Sequence, residues 1–262
     1  MRMGYLVLLF GLICCVYCTL GFVDAQSKYQ ATLAKAFPLG FYTLFQGDSI
    51  TDGGRDRRRK VKYLTFGQGY PYLITAKMEA TFPLQKLRFT NHGISGNTLF
   101  DIEGRWHWDT LDLKPDLISL LIGVNDIWKS FERNDIVTYN YTEFKVTYVR
   151  LIEHALAKFP NIKIALCEPF ILKGYHTVDR WDDWSKGIKE IQAIVKSIAD
   201  MYPSTIIHVP FQRVFDRVST LYPEIDPSVW LIDGVHPMAP GHQLMADEWL
   251  QVVSEGLIKL QK

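Results

Sequence analysis

Residues 117–126 read LISLLIGVND, an apolar run broken only by Ser119 and closed by Gly123 and the polar pair Asn125-Asp126. A strand that is covered on both faces is almost continuously apolar, whereas a strand with one wet face alternates. The stretch therefore predicts a buried strand of a parallel sheet over residues 117–122, with a turn directly after it. We predict four further strands of the same sheet at residues 41–46, 87–91, 162–167 and 205–209.

Segments with apolar residues three and four positions apart separate these runs, as in amphipathic helices. They cover residues 69–81, 143–158, 184–202 and 240–259. Strands that alternate with helices predict a three-layer α/β/α sandwich, in which helices cover both faces of a parallel sheet. The pattern shows no repeat, no low-complexity linker and no break in composition, so we expect one domain.

The composition excludes several classes of protein. The chain has 262 residues, with 48% apolar and 22% charged residues, which is typical of a globular domain with a sizeable core. Its 29 Lys and Arg residues against 28 Asp and Glu residues leave a net charge of +1. Proteins that bind nucleic-acid phosphates usually carry a basic excess, so the sequence predicts no nucleic-acid partner.

The first 25 residues predict a secretory signal peptide, followed by one domain over residues 26–262. A charge-free apolar run at residues 3–23 follows Arg2 and precedes Asp24-Ala25, which favours cleavage after Ala25. The protein would then be secreted or periplasmic, with no stable membrane association. The alternative is an uncleaved membrane anchor, since 21 apolar residues can span a bilayer.

Most of the cysteines lie in the same apolar run, namely Cys14, Cys15 and Cys18. A mature chain that begins after Ala25 keeps only Cys167, so it has no internal disulfide. Cys167 ends an apolar strand-like run, which favours a small core residue rather than a nucleophile.

Residues that can perform chemistry follow the predicted strands. Ser49 follows the first strand, Gly96 lies in the loop after the second, and Asn125 follows the third. Asp233 and His236 precede the last helix. Ligands of such sheets bind beyond the carboxyl ends of the strands, where these residues should meet.

This set supplies the roles that serine ester hydrolysis requires. Ser49 can act as the nucleophile, His236 as the base and acid, and Asp233 as the residue that orients the imidazole. The backbone N–H groups of Ser49 and Gly96 and the side-chain amide of Asn125 can form an oxyanion hole. Each motif alone is more often an ordinary turn or helix cap, so the prediction rests on their combination.

The four motifs resemble, in order and approximate spacing, the sequence blocks of the SGNH (GDSL) hydrolase family. They are Gly-Asp-Ser at 47–49, Ile-Ser-Gly-Asn-Thr at 94–98, Gly-Val-Asn-Asp at 123–126 and Asp-Gly-Val-His-Pro at 233–237. The resemblance implies a flavodoxin-like fold with a parallel five-stranded sheet. It also implies ester hydrolysis through an acyl-serine, with no metal and no cofactor.

Longer segments resemble the acetylxylan esterase branch of that family. They are GDSITDGGR at 47–55, NHGISGNT at 91–98, GRW at 104–106, KPD at 114–116, IGVNDIW at 122–128 and EPF at 168–170. This resemblance implies removal of acetyl groups, with an acetylated polysaccharide or oligosaccharide as the partner. The alternatives are a lysophospholipase or thioesterase acting on longer acyl chains, and a non-catalytic carbohydrate- or flavin-binding module.

Four residues are candidates for substrate binding. Arg55 opens a basic stretch, residues 55–62, which either borders a pocket for acidic substrates or simply faces water. Trp128, Trp181 and Trp184 could stack on sugar rings, although buried packing is the common role of tryptophan. The histidines show no spacing typical of a metal site, and Asn140-Tyr141-Thr142 matches the N-glycosylation pattern, which matters only in a eukaryote.

Overall fold

The five predicted strands form a single parallel sheet. The computed structural model describes residues 26–58, 61, 64–132 and 139–261. Each strand bound lies within one residue of the prediction, and the strand order is β2-β1-β3-β4-β5. The strands are β1 (Tyr42–Gly47), β2 (Arg88–Asn91), β3 (Leu117–Leu121), β4 (Lys163–Cys167) and β5 (Ile206–Val209). The predicted signal peptide, with its three cysteines, lies outside the described residues.

The strand register brings the strand ends to one level. Gly47 pairs with Leu121, Leu121 with Cys167, and Cys167 with Val209, so four strands end side by side. Because all five strands are parallel, the loops that leave their carboxyl ends share one edge of the sheet, which we call the carboxyl edge.

Helices cover both faces of the sheet and complete the predicted three-layer sandwich. On one face Trp249 donates its indole N–H to Ser119 Oγ of β3 at 2.9 Å, and Phe37 stacks on the indole. The helices are α1 (residues 26–36), α2 (Ser49–Asp52), α3 (Tyr70–Thr81), α4 (Leu99–Asp109), α5 (Val124–Glu132), α6 (Tyr141–Lys158), α7 (Trp181–Met201), α8 (Gln212–Leu221) and α9 (Ala239–Leu260). Helices α3 and α9 pack together, while α4, α6 and α7 form the other layer.

The four predicted helices correspond to α3, α6, α7 and α9. The five other helices that the described residues form are shorter, with 4 to 11 residues each. Helix α4 includes Gly104 and two tryptophans, and its start is fixed locally by a capping box between Thr98 and Asp101. Among the described residues, no helix has both the length and the apolar character needed to cross a membrane.

The core confirms the prediction for Cys167. Its thiol is fully buried in β4, 3.7 Å from Ser119 Oγ, and burial raises the pKa of the thiol to about 12. A thiol that stays protonated is a poor nucleophile, so Cys167 serves packing.

Gly93, in the loop after β2, lies directly against the backbone of helix α2, which follows β1. A Cβ atom added there would lie 2.4 Å from the backbone nitrogen of Asp52 and 2.7 Å from the carbonyl carbon of Thr51. We therefore expect Gly93→Ala to lower the free energy of unfolding by about 1–3 kcal/mol, as overpacking does, because two backbones must separate.

Gly104→Ala is the matched control. Gly104 lies in helix α4, and an added Cβ would meet nothing within 4 Å. It should raise the free energy of unfolding by up to about 1 kcal/mol through helix propensity. Urea unfolding of the two variants measures both effects, and an equal change in the two would contradict the close backbone contact.

Candidate active site

Ser49 lies at the carboxyl edge because β1 ends abruptly in front of it. Strand β1 ends at Gly47, where a Cβ atom would lie 2.4 Å from the carbonyl oxygen of Leu121. Asp48 then caps the short helix α2, its Oδ1 accepting the N–H of Ile50 at 3.0 Å. Ser49 is the first residue of α2 and is half-buried, so its hydroxyl remains accessible.

The structure joins the three residues predicted for proton transfer. Ser49 Oγ lies 2.9 Å from His236 Nε2, and His236 Nδ1 lies 2.7 Å from Asp233 Oδ2. With the Nδ1 proton directed to Asp233, Nε2 accepts the hydroxyl proton of Ser49. Residues separated by 187 positions in the chain are thus linked in one hydrogen-bond chain.

Local hydrogen bonds keep Asp233 ionised. Its Oδ1 accepts the backbone N–H groups of Val235 at 2.9 Å and His236 at 2.8 Å. Burial alone would raise the pKa of Asp233, but these bonds and the bond from the imidazole outweigh burial and hold the pKa well below its usual range. A carboxylate that stays charged can stabilise an imidazolium.

The environment of His236 favours its protonated form. The hydrogen bond to Asp233 raises the pKa of His236 above its ordinary value of 6.5, and burial opposes this only in part. The neighbouring His242 is different, because burial lowers its pKa to about 4 and its Nδ1 accepts the N–H of Tyr70 at 3.2 Å. His242 is therefore neutral near pH 7 and adds no competing charge.

Hydrogen bonds connect the loop of Gly96 to the end of β1, and connect Asn125 to that loop. Ile94 donates its N–H to the carbonyl oxygen of Gly47 at 3.0 Å, two residues before both Ser49 and Gly96. Asn125 donates its side-chain amide to the carbonyl oxygen of Asn97 at 3.1 Å. Gly96 has φ +79°, a left-handed conformation, and open space where a Cβ would lie.

Arg105 holds these loops together, a role that sequence reasoning missed. Its guanidinium is buried and donates to Gln46 Oε1 at 2.8 Å and to the carbonyl oxygen of Gly47 at 3.4 Å. It also donates to Asn97 Oδ1 at 2.8 Å and to the carbonyl oxygen of His92 at 3.1 Å. The only sequence signal was its place in the Gly-Arg-Trp segment of α4.

Two other aspartates at the edge are fully buried. Burial raises the pKa of both Asp48 and Asp126 to about 7. Asp126 accepts the N–H of Leu99 at 3.1 Å and the hydroxyl of Tyr139 at 3.2 Å, which fixes α4 behind Asn125. Both carboxyls brace loops and are not hydrogen-bonded to the imidazole of His236.

Arg55 lies beside the β2 loop. Its Nε donates to the carbonyl oxygen of Gly93 at 2.8 Å, and its backbone N–H donates to Asp52 Oδ1 at 3.0 Å. The next basic residues, Arg57 and Arg58, are exposed to solvent. The part of the basic stretch at residues 59, 60 and 62 lies outside the described residues.

The three candidate tryptophans take three different positions. Trp128 is half-buried, with its ring centroid 6.1 Å from that of His236. Trp181 lines a separate cavity of about 560 Å³, whose lining includes none of Ser49, Asp233 and His236. The prediction that Trp184 stacks on a sugar ring is wrong, because only 2% of Trp184 is exposed and its ring packs inside the protein.

His176 is a second residue that sequence reasoning missed. Its Nε2 lies 3.7 Å from Asp233 Oδ2, and its ring centroid lies 4.7 Å from that of Trp128. The loop after β4 carries it, and the only signal was that this loop shares the carboxyl edge. Within the described ranges, no group of three or more His, Cys, Asp or Glu residues could hold a metal ion.

The electrostatics of His236 can be measured directly. In the wild-type protein its imidazole should titrate above pH 6.5, followed by the ring proton resonances in NMR spectra. Asp233→Asn should lower that pKa, because the charged partner that favours the imidazolium is removed and burial then dominates. Asp200→Asn, which removes an exposed partner of Lys196, is the control and should leave the titration unchanged. Equal His236 pKa values in wild type and Asp233→Asn would refute the conclusion that Asp233 raises the pKa of His236.

Comparison with known proteins agrees with this geometry. The model of the GDSL-like Lipase/Acylhydrolase family matches residues 45–244. The chain is 33% identical over 215 residues to an acetylxylan esterase of Geobacillus stearothermophilus, covering 80% of this chain and 92% of the esterase.

Solved structures show the same fold. A putative GDSL-like lipase from Parabacteroides merdae superposes with a TM-score of 0.75 at 33% identity, covering 84% of this chain and 98% of the lipase. A catalytic mutant of Axe2, the Geobacillus acetylxylan esterase, gives 0.71 at 28% identity and covers 83% and 96%. The catalytic mutants of Axe2 replace a serine, an aspartate and a histidine three positions after the aspartate. The chain is therefore a carboxylic ester hydrolase that belongs to the GDSL-like lipase/acylhydrolase family.

Proposed function

We propose that this protein is a serine esterase that removes acetyl groups from carbohydrate through an acyl-serine intermediate on Ser49. The observation that carries the proposal is the hydrogen-bond chain from Asp233 through His236 to Ser49. The three residues occur in the sequence in the order serine, aspartate, histidine, and the histidine follows the aspartate by three positions. The residues replaced in the catalytic mutants of the related acetylxylan esterase have the same order and the same spacing.

In the first half-reaction, Ser49 Oγ attacks the acetyl carbonyl carbon while His236 Nε2 takes the hydroxyl proton. The resulting imidazolium is stabilised by Asp233, which the surrounding donors keep ionised. His236 then gives its proton to the sugar oxygen as the C–O ester bond breaks. The deacetylated sugar leaves as an alcohol, and the acetyl group remains on Ser49.

In the second half-reaction, water takes the place of the sugar. His236 Nε2 removes a proton from the water as its oxygen attacks the acetyl carbon. The tetrahedral intermediate collapses, Ser49 Oγ recovers its proton from His236, and acetic acid leaves and loses its proton to the solvent. The side chains end in their starting protonation states.

The oxyanion of each tetrahedral intermediate needs hydrogen-bond donors. Ser49 is the first residue of a helix, so its N–H has no partner within the helix. The backbone N–H of Gly96 and the side-chain amide of Asn125 complete the proposed oxyanion hole. Each such donor is worth about 3–4 kcal/mol of transition-state stabilisation.

The acetyl group is the proposed acyl group because the related esterase acts on acetylxylan and matches over most of this chain. Hydrolysis of longer acyl esters, as by a lysophospholipase or thioesterase, is the alternative outcome of the test below. We further propose that residues 1–25 direct export and that residues 26–262 form the hydrolase domain. The charge-free apolar run before Asp24-Ala25 supports this proposal.

Hydrolysis of p-nitrophenyl acetate tests the nucleophile. Ser49→Ala should lower turnover on the order of 10⁶-fold, because removal of the nucleophile abolishes the acyl-enzyme route. Ser197→Ala is the control, since the Ser197 hydroxyl donates to the carbonyl of Ile194 within α7 and bonds to no other residue in the described part of the chain. Wild type should also prefer the acetate to the octanoate. Full activity in Ser49→Ala would overturn the proposal, and a preference for octanoate would favour the long-chain alternative.

A further inference from the structure

The loop after β4, residues 172–177, is fastened to the loop that carries Asp233. Leu172 donates its N–H to the carbonyl oxygen of Gly234 at 2.9 Å, and His176 donates its N–H to that of Asp233 at 2.9 Å. The backbones press together at Gly174, where a Cβ atom would lie 2.4 Å from the nitrogen of Gly234. The backbone of this loop is therefore held in a fixed position relative to Asp233.

Three rings on and beside this loop form a line of ring contacts that starts at His236. We call these residues, Trp128, His176 and Tyr175, the aromatic row. The ring centroid of Trp128 lies 6.1 Å from that of His236 and 4.7 Å from that of His176. The centroid of Tyr175 lies 5.0 Å from that of His176. The row is contiguous and begins at the catalytic histidine.

The buried Trp184 supports the row from behind. Its ring packs edge-on against Trp128 with centroids 5.5 Å apart, and its indole N–H donates to the carbonyl oxygen of His176 at 3.1 Å. The ring of Trp128 and the backbone at His176 are thus positioned by packing before any ligand binds, which reduces the entropy that binding must overcome.

The two residues at the outer end of the row, Tyr175 and His176, are exposed to solvent. Tyr175 is 81% exposed, and the side chain of His176 is 40% exposed. Folding gains little from a tyrosine ring left in water, since the hydrophobic contribution scales with the apolar area that is buried. An exposed aromatic ring that continues a line of ring contacts from His236 suits a ligand surface.

The chemistry of the row suits pyranose rings. A pyranose presents a face of C–H groups, which packs on an aromatic face, and a rim of hydroxyls, which need polar partners. The phenol of Tyr175 and the imidazole of His176 supply such partners at the edge of the row. A long acyl chain has no use for these polar groups and gains most from an enclosed apolar channel, whereas Tyr175 is open to solvent.

We propose that the aromatic row is a binding subsite for the pyranose rings that neighbour the acetylated sugar. The protein would then select acetylated oligosaccharides over acetylated monosaccharides, with Tyr175 as the outer specificity-determining residue. This inference rests on the proposed carbohydrate esterase function. It adds residues that contact the substrate away from the ester bond.

The kinetic test compares acetylated xylotriose with acetylated methyl xyloside. In Tyr175→Ala, the ratio of kcat/KM for the trisaccharide to that for the monosaccharide should fall about tenfold, or 1.4 kcal/mol, chiefly through KM. Tyr175→Phe, which keeps the ring, should retain most of the ratio. Tyr222→Ala is the control, because Tyr222 is 48% exposed after helix α8 and lies outside the row.

A binding measurement separates this inference from the proposed function. Calorimetry with acetylated xylotriose uses Ser49→Ala, in which the ligand stays intact, with and without Tyr175→Ala. A Kd raised about tenfold by Tyr175→Ala supports the subsite even if wild type shows no hydrolysis, in which case only the proposed function fails. An unchanged Kd and an unchanged kinetic ratio would overturn the subsite. A Tyr175→Ala variant that instead loses octanoate hydrolysis selectively would also overturn it.

Discussion

The buried guanidinium of Arg105 is the contact on which the active-site edge depends. It donates to Gln46 and Gly47 at the end of β1, and to His92 and Asn97 in the loop after β2. It also pairs with the carboxylate of Asp109 at 3.1 Å. A buried charge is tolerated only when it is paired and its hydrogen bonds are satisfied, so these five acceptors must stay in place together. The turn that carries the nucleophile and the loop that carries Gly96 are thereby fixed to one another.

Three aspartates at this edge show how the environment assigns different tasks to one residue type. Asp48 and Asp126 are fully buried, and burial raises the pKa of each to about 7. Asp233 is less enclosed and accepts three hydrogen bonds, which hold its pKa well below its usual range. The carboxylate that faces His236 therefore remains charged, while the other two carboxyls are partly neutral and serve as loop braces. Burial and the number of hydrogen-bond donors therefore distinguish Asp233, which acts on His236, from Asp48 and Asp126, which brace the loops.

Strand β3 could be predicted because full burial leaves a direct trace, a nearly continuous apolar run, in the sequence. The edge strand β2 instead alternates, with Arg88 exposed and Phe89 buried. The order of Ser49, Gly96, Asn125, Asp233 and His236 could be recognised because each belongs to a local motif at a strand end. Helix α4 was missed although Leu99, Ile102 and Trp106 form a buried face, because it spans only 11 residues and includes Gly104. Long-range packing decides three further features, which no local pattern shows: the hydrogen bonds of Arg105, the contact of His176 with Asp233, and the burial of Trp184.

If the acyl group passes through Ser49, the acyl-serine intermediate can be trapped. The protein is mixed with p-nitrophenyl acetate, quenched in acid within the first turnovers, digested and analysed by mass spectrometry. We predict one acetyl group on the peptide that contains Ser49, located at the serine by fragmentation. We also predict that this acetyl group disappears as the substrate is exhausted. Rapid turnover with no acetyl group on Ser49, or with the acetyl group reproducibly on another residue, would contradict an acyl-serine intermediate on Ser49.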